Sequence, residues 1–584
     1  MGRRRRGPGW LALALAAALW AAPDLRAAAP APAASPHGMV VTSQADATRA
    51  GVELLAAGGN AVDAAVAAAF AVGVTQPFST GLGGGAFVLI RLADGRLLAL
   101  DCRETAPAAA ERDMYVAEGV PQHASRLGGL AVATPGLVAG LIQVLALHGT
   151  QSLEQVLAPA IRLAEEGFPI GPYHASVLEF VERKGLLARF PETARIQLPP
   201  EGQPPRQGWH LVQRDLARTL RAIAKRGPDA FYRGEIAARI VAEVKAQGGI
   251  LDEGDLAEYR PVEREPLWGA YRDTEVVSFP PPSSGGVALI EALNILEGFD
   301  LAGEGAGSSA SLHRIAEALK LAFADRAAFL GDPDFVDVPV EPLVSKHRAD
   351  ELRRRINPPR WRRWPWTWTR GESAIRVHSA GLAPRDEGTT HLSVTDSLGN
   401  AVAITKTINT PFGSGITVPG TGIVLNNEMD DFAVALFRPN SYGLVDTSGA
   451  NAVAPRKRPL SSMTPSMVLR DGELLLVTGS PGGPRIISAV LQTILNVIDY
   501  GMDVAAAVAA PRIHHQWDPD LLYVEPAVPR DVVEGLRRRG HRVEVSPRDW
   551  SAAESIAIDR ERGLHLGGSD PRRDGLALGP ATGG

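Results

Sequence analysis

Glu387-Gly388-Thr389-Thr390-His391-Leu392-Ser393-Val394-Thr395-Asp396-Ser397-Leu398-Gly399-Asn400-Ala401-Val402-Ala403-Ile404-Thr405-Lys406-Thr407-Ile408-Asn409 reads as two β-rich runs around a Ser-Leu-Gly-Asn turn, a hairpin. Facing residues of an antiparallel pair have numbers of constant sum, so a turn centred near Leu398 sets Thr389 opposite Thr407. Asn409 then falls just beyond the end of the partner strand. A hydroxyl at the head of one strand thus has a second hydroxyl and an amide beside it. Thr-rich hairpins are common, and alone this one specifies structure rather than chemistry.

Outward from the hairpin, the chain sets the class. Its 584 residues fit either several units of about 150 residues or one large α/β layer fold. Hydrophobic residues make up 45% and charged residues 21%, enough for a large core and too apolar for global disorder. Lys+Arg total 60 against Asp+Glu 65, a net charge of −5, which is not the balance of a chain built to coat nucleic acid. The 1 cysteine, Cys102, excludes an intrachain disulfide framework and a cysteine-rich zinc site. With no His near it in sequence, Cys102 reads as a small buried hydrophobe.

Apolar periodicity predicts mixed α/β structure. Asn60 with Asp63 three residues on forms a capping-box-like start, and the Ala/Val run to Val74 predicts a buried helix. Phe87–Ile90 and Leu97–Leu100, joined through Ala93-Asp94-Gly95, predict a second hairpin. Ser311–Phe329 has helical spacing and ends at Gly331-Asp332-Pro333.

Arg3–Arg6, the apolar run Trp10–Ala22 and the small residues Ala27–Ala29 have the layout of a secretory signal peptide, residues 1–29. The run is shorter than the ~20 residues of a bilayer span, so an exported, periplasmic or secreted protein with no stable membrane anchor is expected. Between Pro358 and Ala383 the chain is Pro- and Arg-rich and holds Trp361, Trp364, Trp366 and Trp368. Since the chain as a whole is acidic, residues 358–388 are expected to be a mobile linker rather than a nucleic-acid or membrane surface. The main boundary is expected at Thr389, with strand-rich sequence from 389 to 584.

Two motifs are set aside. Gly81-Leu82-Gly83-Gly84-Gly85-Ala86 fits G-x-G-x-x-A, but a helix precedes it and a strand follows, the reverse of a dinucleotide site. His514-His515, near Asp518 and Asp520, point to different faces of any regular element and read as structural.

Pro459-Leu460-Ser461-Ser462-Met463 is expected to present two hydroxyls in a turn. Gly479-Ser480-Pro481-Gly482-Gly483 offers backbone N–H groups unshielded by side chains, an arrangement like an oxyanion hole.

Taken with Asp101-Cys102-Arg103-Glu104-Thr105-Ala106-Pro107, Leu425-Asn426-Asn427-Glu428-Met429-Asp430-Asp431-Phe432, Pro281-Pro282-Ser283-Ser284-Gly285-Gly286 and Gly331-Asp332-Pro333, these motifs resemble the γ-glutamyltransferase (γ-glutamyltranspeptidase) family of N-terminal nucleophile hydrolases, from about Gly38 to the C-terminus. The resemblance implies a four-layer αββα sandwich with two stacked antiparallel sheets, an α+β fold built as one unit from two chain fragments. It implies self-cleavage at Gly388–Thr389, giving a large subunit (30–388) and a small catalytic subunit (389–584) that stay together as a heterodimer. The glycine before the bond is expected to leave room for the Thr389 hydroxyl to attack.

The cut makes the α-amine of Thr389 its own base. At a pKa of about 7.8 it is roughly one-seventh unprotonated at neutral pH, far more than a lysine. The resemblance further implies Thr407 as support for the nucleophile and Gly482 and Gly483 as oxyanion donors. Arg103 is implied to bind a substrate α-carboxylate with Ser461 and Ser462, and Asn409, Glu428 and Asp431 to bind its α-ammonium. Tyr442 would gate the site from a lid loop, Phe432–Val453. Glutathione and other γ-glutamyl compounds would be donors, water or amino acid and peptide amines acceptors, with no metal or organic cofactor. A glutaryl-type cephalosporin acylase and a non-catalytic binding protein of the same fold are the alternatives.

Overall fold

Strands from both sides of Gly388–Thr389 alternate within the two large sheets of the computed structural model, which describes residues 31–199, 206–356 and 388–581. The expected signal peptide and all of the expected linker but Gly388 lie outside the described residues. The first sheet runs β14 (Leu576–Leu578), β2 (Gly38–Thr42), β8 (Thr389–Asp396), β9 (Ala401–Thr407), β3 (Gly85–Arg91), β4 (Leu97–Cys102), β5 (Val262–Arg264). The second runs β1 (Ala33–Ser35), β13 (Leu564–Ser569), β12 (Glu554–Asp559), β11 (Glu473–Thr478), β10 (Ser466–Arg470), β7 (Thr274–Ser278), β6 (Leu267–Tyr271). Every pairing in both is antiparallel.

The period-2 rule explains how the sheets stack. In β3, Val88 and Ile90 point into one core with the α2 helix (Ala61–Thr75), while Phe87 and Leu89 point into another with Val276, Met467 and Leu476 of the second sheet. The Phe87 ring stacks on Phe279 with centroids 4.2 Å apart, joining the sheets. Against α2 pack α1 (Ala45–Ala56) and α3 (Leu153–Glu166), and α4 (Arg214–Arg226) packs on α3. The opposite outer layer contains α5 (Gly285–Leu296), α6 (Ser309–Phe329), α7 (Arg485–Ile498) and α8 (Arg530–Arg538). The result is the expected αββα sandwich.

Local expectations hold with small changes. Asn60 and Asp63 form a reciprocal capping box at the start of α2, all of whose residues are buried. The β3–β4 hairpin is longer than the predicted apolar runs because pairing with β9 continues to Gly85 opposite Thr407. Helix α6 starts two residues before Ser311, where the Ser308 side chain accepts from Ser311 N. The set-aside glycines answer to packing: a Cβ on Gly83 would lie 2.3 Å from the Val424 carbonyl oxygen, and one on Gly84 2.0 Å from that of Thr407. Cys102 is buried, its Sγ facing Gly140. Among the described residues no helix is long and apolar enough to cross a membrane.

Candidate active site

The β8–β9 ladder pairs Thr389 with Thr407, the register set by the turn at Leu398. Their Oγ1 atoms lie 3.0 Å apart. Thr407 Oγ1 also donates to the Gly388 carbonyl at 2.7 Å and accepts from Asn409 N at 2.8 Å. A threonine hydroxyl has one proton, so with Thr407 donating to Gly388 the proton between the two threonines is that of Thr389. Ile408 N gives the Gly388 carbonyl a second donor at 3.1 Å. Packing by itself requires a glycine here: a Cβ would lie 1.7 Å from the Asn409 carbonyl oxygen.

Asn409, at φ +77, turns the chain out of β9 in the left-handed region that asparagine tolerates. Its Nδ2 donates to Asn427 O at 2.9 Å, and its carbonyl accepts from Tyr442 Oη. Tyr442 thereby closes over the Thr389 end of the sheet. Its backbone carbonyl accepts from Gln516 Nε2 at 3.2 Å. Gln516 Oε1 is 3.0 Å from His514 Nε2, and His514 Nδ1 is 2.7 Å from Ser488 Oγ. This chain runs from α7 to the loop Phe432–Val453, the expected lid.

Gly482 and Gly483 lead into the N-terminus of α7 at φ +136 and +55. Their carbonyls accept from Arg485 N and Ile486 N, while neither N–H has an acceptor among the described residues. The Tyr442 ring packs so closely that a Cβ on Gly483 would meet it at 2.6 Å. Ser461 and Ser462 line the cavity from an extended segment, not the expected turn: Ser461 bridges to Ser283, its Oγ accepting from Met463 N at 3.1 Å.

Arg103 is buried in the wall, its guanidinium bound to the carboxylates of Glu428 and Asp431, with Glu104 at 3.5 Å. Burial pulls this guanidinium toward neutrality, but Glu428, Asp431 and Glu104 outweigh it and hold the charge. Burial likewise drives the Glu428 carboxyl well above its ordinary range and raises Asp431, with Arg103 opposing in both. Glu104 is pushed up to about 8 by burial against the pull of Arg103. One cation facing three buried carboxyls stabilises a proton on at least one of them.

A small cavity opens between these walls. Arg103, Thr389, Thr407, Asn409, Glu428, Asp431, Tyr442, Ser461, Ser462 and Gly483 all line it. Sequence reasoning missed Arg573, whose Nη1 donates to Thr389 O at 3.0 Å, and also Glu104 and Gln516. The segment around Arg573, Ser569-Asp570-Pro571-Arg572-Arg573-Asp574, is read locally as a charged turn.

Comparison with known proteins adds a family. The family model described as gamma-glutamyltranspeptidase matches residues 47–579. The glutathione hydrolase proenzyme of Escherichia coli (strain K12) is 45% identical over 552 residues, covering 94% of this chain and 93% of that protein. The Acylase ACY 1 proenzyme of Pseudomonas sp. (strain SE83) is 41% identical over 556 residues, 94% of each chain. Among solved structures, cephalosporin acylase from Bacillus halodurans superimposes with a TM-score of 0.82 at 30% identity, over 100% of both chains.

Proposed function

Because this chain belongs to the gamma-glutamyltranspeptidase family, we propose that it is exported, severs itself between Gly388 and Thr389, and uses the freed Thr389 as nucleophile on γ-glutamyl amides. It is an enzyme of that kind, a γ-glutamyltransferase and glutathione hydrolase. The contact of Thr407 with both Gly388 O and Thr389 Oγ1 carries the reading.

In the uncut chain, Thr389 Oγ1 attacks the Gly388 carbonyl carbon. Its proton passes to Thr407, which gives its own to the Gly388 oxygen, while Ile408 N–H holds the same oxygen. On collapse the proton on the Gly388 oxygen moves to the Thr389 nitrogen as the C–N bond breaks, which frees the α-amine and leaves Gly388 as an ester on Thr389. Water then splits this ester into a Gly388 carboxylate and the Thr389 hydroxyl, dividing residues 30–388 from 389–584, which remain paired as a heterodimer.

In turnover, that amine takes the hydroxyl proton as Thr389 attacks the γ-carbonyl of glutathione or another γ-glutamyl compound. The unengaged N–H groups of Gly482 and Gly483 receive the oxyanion, and the amine leaves with the proton. Water or an acceptor amine then resolves the γ-glutamyl ester. No metal or organic cofactor enters these steps. The substrate's head group exchanges partners with the wall: its α-carboxylate takes Arg103 and the Ser461 and Ser462 hydroxyls. Its α-ammonium takes Glu428, Asp431 and the Asn409 side chain. Every buried charge keeps an opposite, so the desolvation cost is offset.

A denaturing gel with N-terminal sequencing tests this. Wild type should give two bands, the smaller beginning at Thr389, and release p-nitroaniline from γ-glutamyl-p-nitroanilide. Thr389→Ala should stay one inactive chain. The acylase-named relatives raise glutaryl amides as a second substrate class. Such substrates lack the α-ammonium, leaving Glu428 and Asp431 without a cation when Arg103 is engaged. Faster release from glutaryl-p-nitroanilide than from the γ-glutamyl compound would favour the acylase.

A further inference from the structure

Away from the cavity, one group of side chains has the composition of a metal centre. His313 and Glu317 lie one helical turn apart on α6, on the same face. His541 follows Gly540, in the turn between α8 and the strand Val543–Val545. Its Nε2 is 2.7 Å from His313 Nδ1, and its Nδ1 is 3.9 Å from a Glu317 carboxylate oxygen. One ligating atom from each residue falls within 4.8 Å of the other two.

The surroundings favour a cation. Lys320 is paired with Asp520 at 2.6 Å, and the same carboxylate oxygen lies 3.2 Å from His515 Nε2. Asp520 thus offsets the nearby ammonium and leaves the Glu317 charge facing the two imidazoles.

We propose that His313, Glu317 and His541 form a binding site for a divalent transition ion of the zinc class. Two imidazoles and a carboxylate are a donor set that zinc takes up in tetrahedral geometry, with a fourth position left to water. Bonds of about 2.0–2.1 Å hold the two nitrogens roughly 3.3 Å apart, so His541 backs away by roughly 0.6 Å. The rings exchange their mutual hydrogen bond for two metal–nitrogen bonds, the donating ring passing to its other tautomer. His313 and Glu317 precede residue 388 and His541 follows it, so under the self-cleavage reading the ion joins the two fragments. Ion binding itself does not depend on that reading.

The test uses the full chain without a histidine tag, stripped by chelator and titrated calorimetrically with Zn2+, with the visible absorption of bound Co2+ as a probe of geometry. One ion per chain and a rise in melting temperature with zinc are expected. His541→Gln and Glu317→Gln should bind roughly ten- to a hundredfold more weakly and lose the zinc-induced rise, with metal-free melting and p-nitroaniline release as in wild type. Glu317 is partly exposed, so its variant reports even if His541→Gln folds poorly. No saturable binding in wild type, or equal binding in both variants, overturns the site. A chain that binds zinc but never splits loses only the joining of fragments.

Discussion

The hydroxyl of Thr407 stands 3.0 Å from that of Thr389 and is tied at the same time to the carbonyl that precedes Thr389. Removing one oxyanion donor typically costs about 10²–10³ in rate. Thr407→Val should therefore slow chain splitting by about that factor, followed as band intensity against time after purification. Thr407→Ser, which keeps the hydroxyl, should split at a rate near wild type. Equal rates for valine and serine would remove Thr407 from the reaction.

Arg103 is the only cation in contact with Glu428, Asp431 and Glu104 among the described residues. Stripping the cation from a buried ion pair costs about 3–5 kcal/mol. Arg103→Ala should thus lower the melting temperature clearly. Arg103→Lys keeps one charge but not the fork, and should raise KM for γ-glutamyl-p-nitroanilide about tenfold or more through loss of a charge-assisted hydrogen bond of about 1.5–3 kcal/mol. An unchanged KM in the lysine variant would contradict a substrate-binding role.

Gln516 links the lid to the core through Tyr442 O. Gln516→Glu keeps the acceptor for His514 but withdraws the donor from Tyr442, freeing the lid. Expected results are faster limited proteolysis within Phe432–Val453 and a several-fold higher KM, with kcat less affected. Tyr442→Phe should do the same from the other end by losing the bond to Asn409 O. If Tyr442→Ala left both KM and the hydrolysis-to-transfer ratio as in wild type, the gate would be refuted.

His174, His391 and His514 are buried and each is pulled down to about 3, burial being the main cause. Unfolded histidines take protons near pH 6.5. Between about 6.5 and 3 the unfolded chain therefore binds protons that the folded chain refuses, and stability falls with pH by up to roughly 1.4 kcal/mol per unit per histidine. Glu104 works the other way, contributing stability as pH falls from about 8 to its unfolded value near 4.5, where its effect ends. Three histidines outweigh this one carboxyl, so stability should fall as pH drops below about 6.5 and most steeply below about 4.5. Thermal melting of the unsplit Thr389→Ala chain against pH reads it, and adding His391→Asn should reduce the slope by close to one proton. An unchanged slope would show that His391 does not stay neutral.

The parts of the fold that local pattern governs were legible in the sequence. The turn at Leu398 and a period of two fix the Thr389–Thr407 register, and Asn60 with Asp63 fixes the start of α2. Residues delivered by distant segments were not legible. Arg573 reaches Thr389 from 184 positions away, and Gln516 reaches the lid from 74, with no periodicity to announce either. The pairing of Arg103 with Glu428 and Asp431 is a third case: motif reasoning assigns both signs to a substrate, whereas the folded chain pairs them with each other.

The hairpin that begins at Thr389 is clamped between β2 on one flank and β3 on the other, both contributed by chain preceding residue 388. Such interdigitation imposes a history on the molecule. Under the proposed self-cleavage, the sheet has to be knitted while the polypeptide is continuous, and scission afterwards erases the connection that brought its middle strands into line. Heat or denaturant then pulls apart two pieces that must find each other by diffusion, so a matured preparation should be durable in storage yet hard to regenerate once melted.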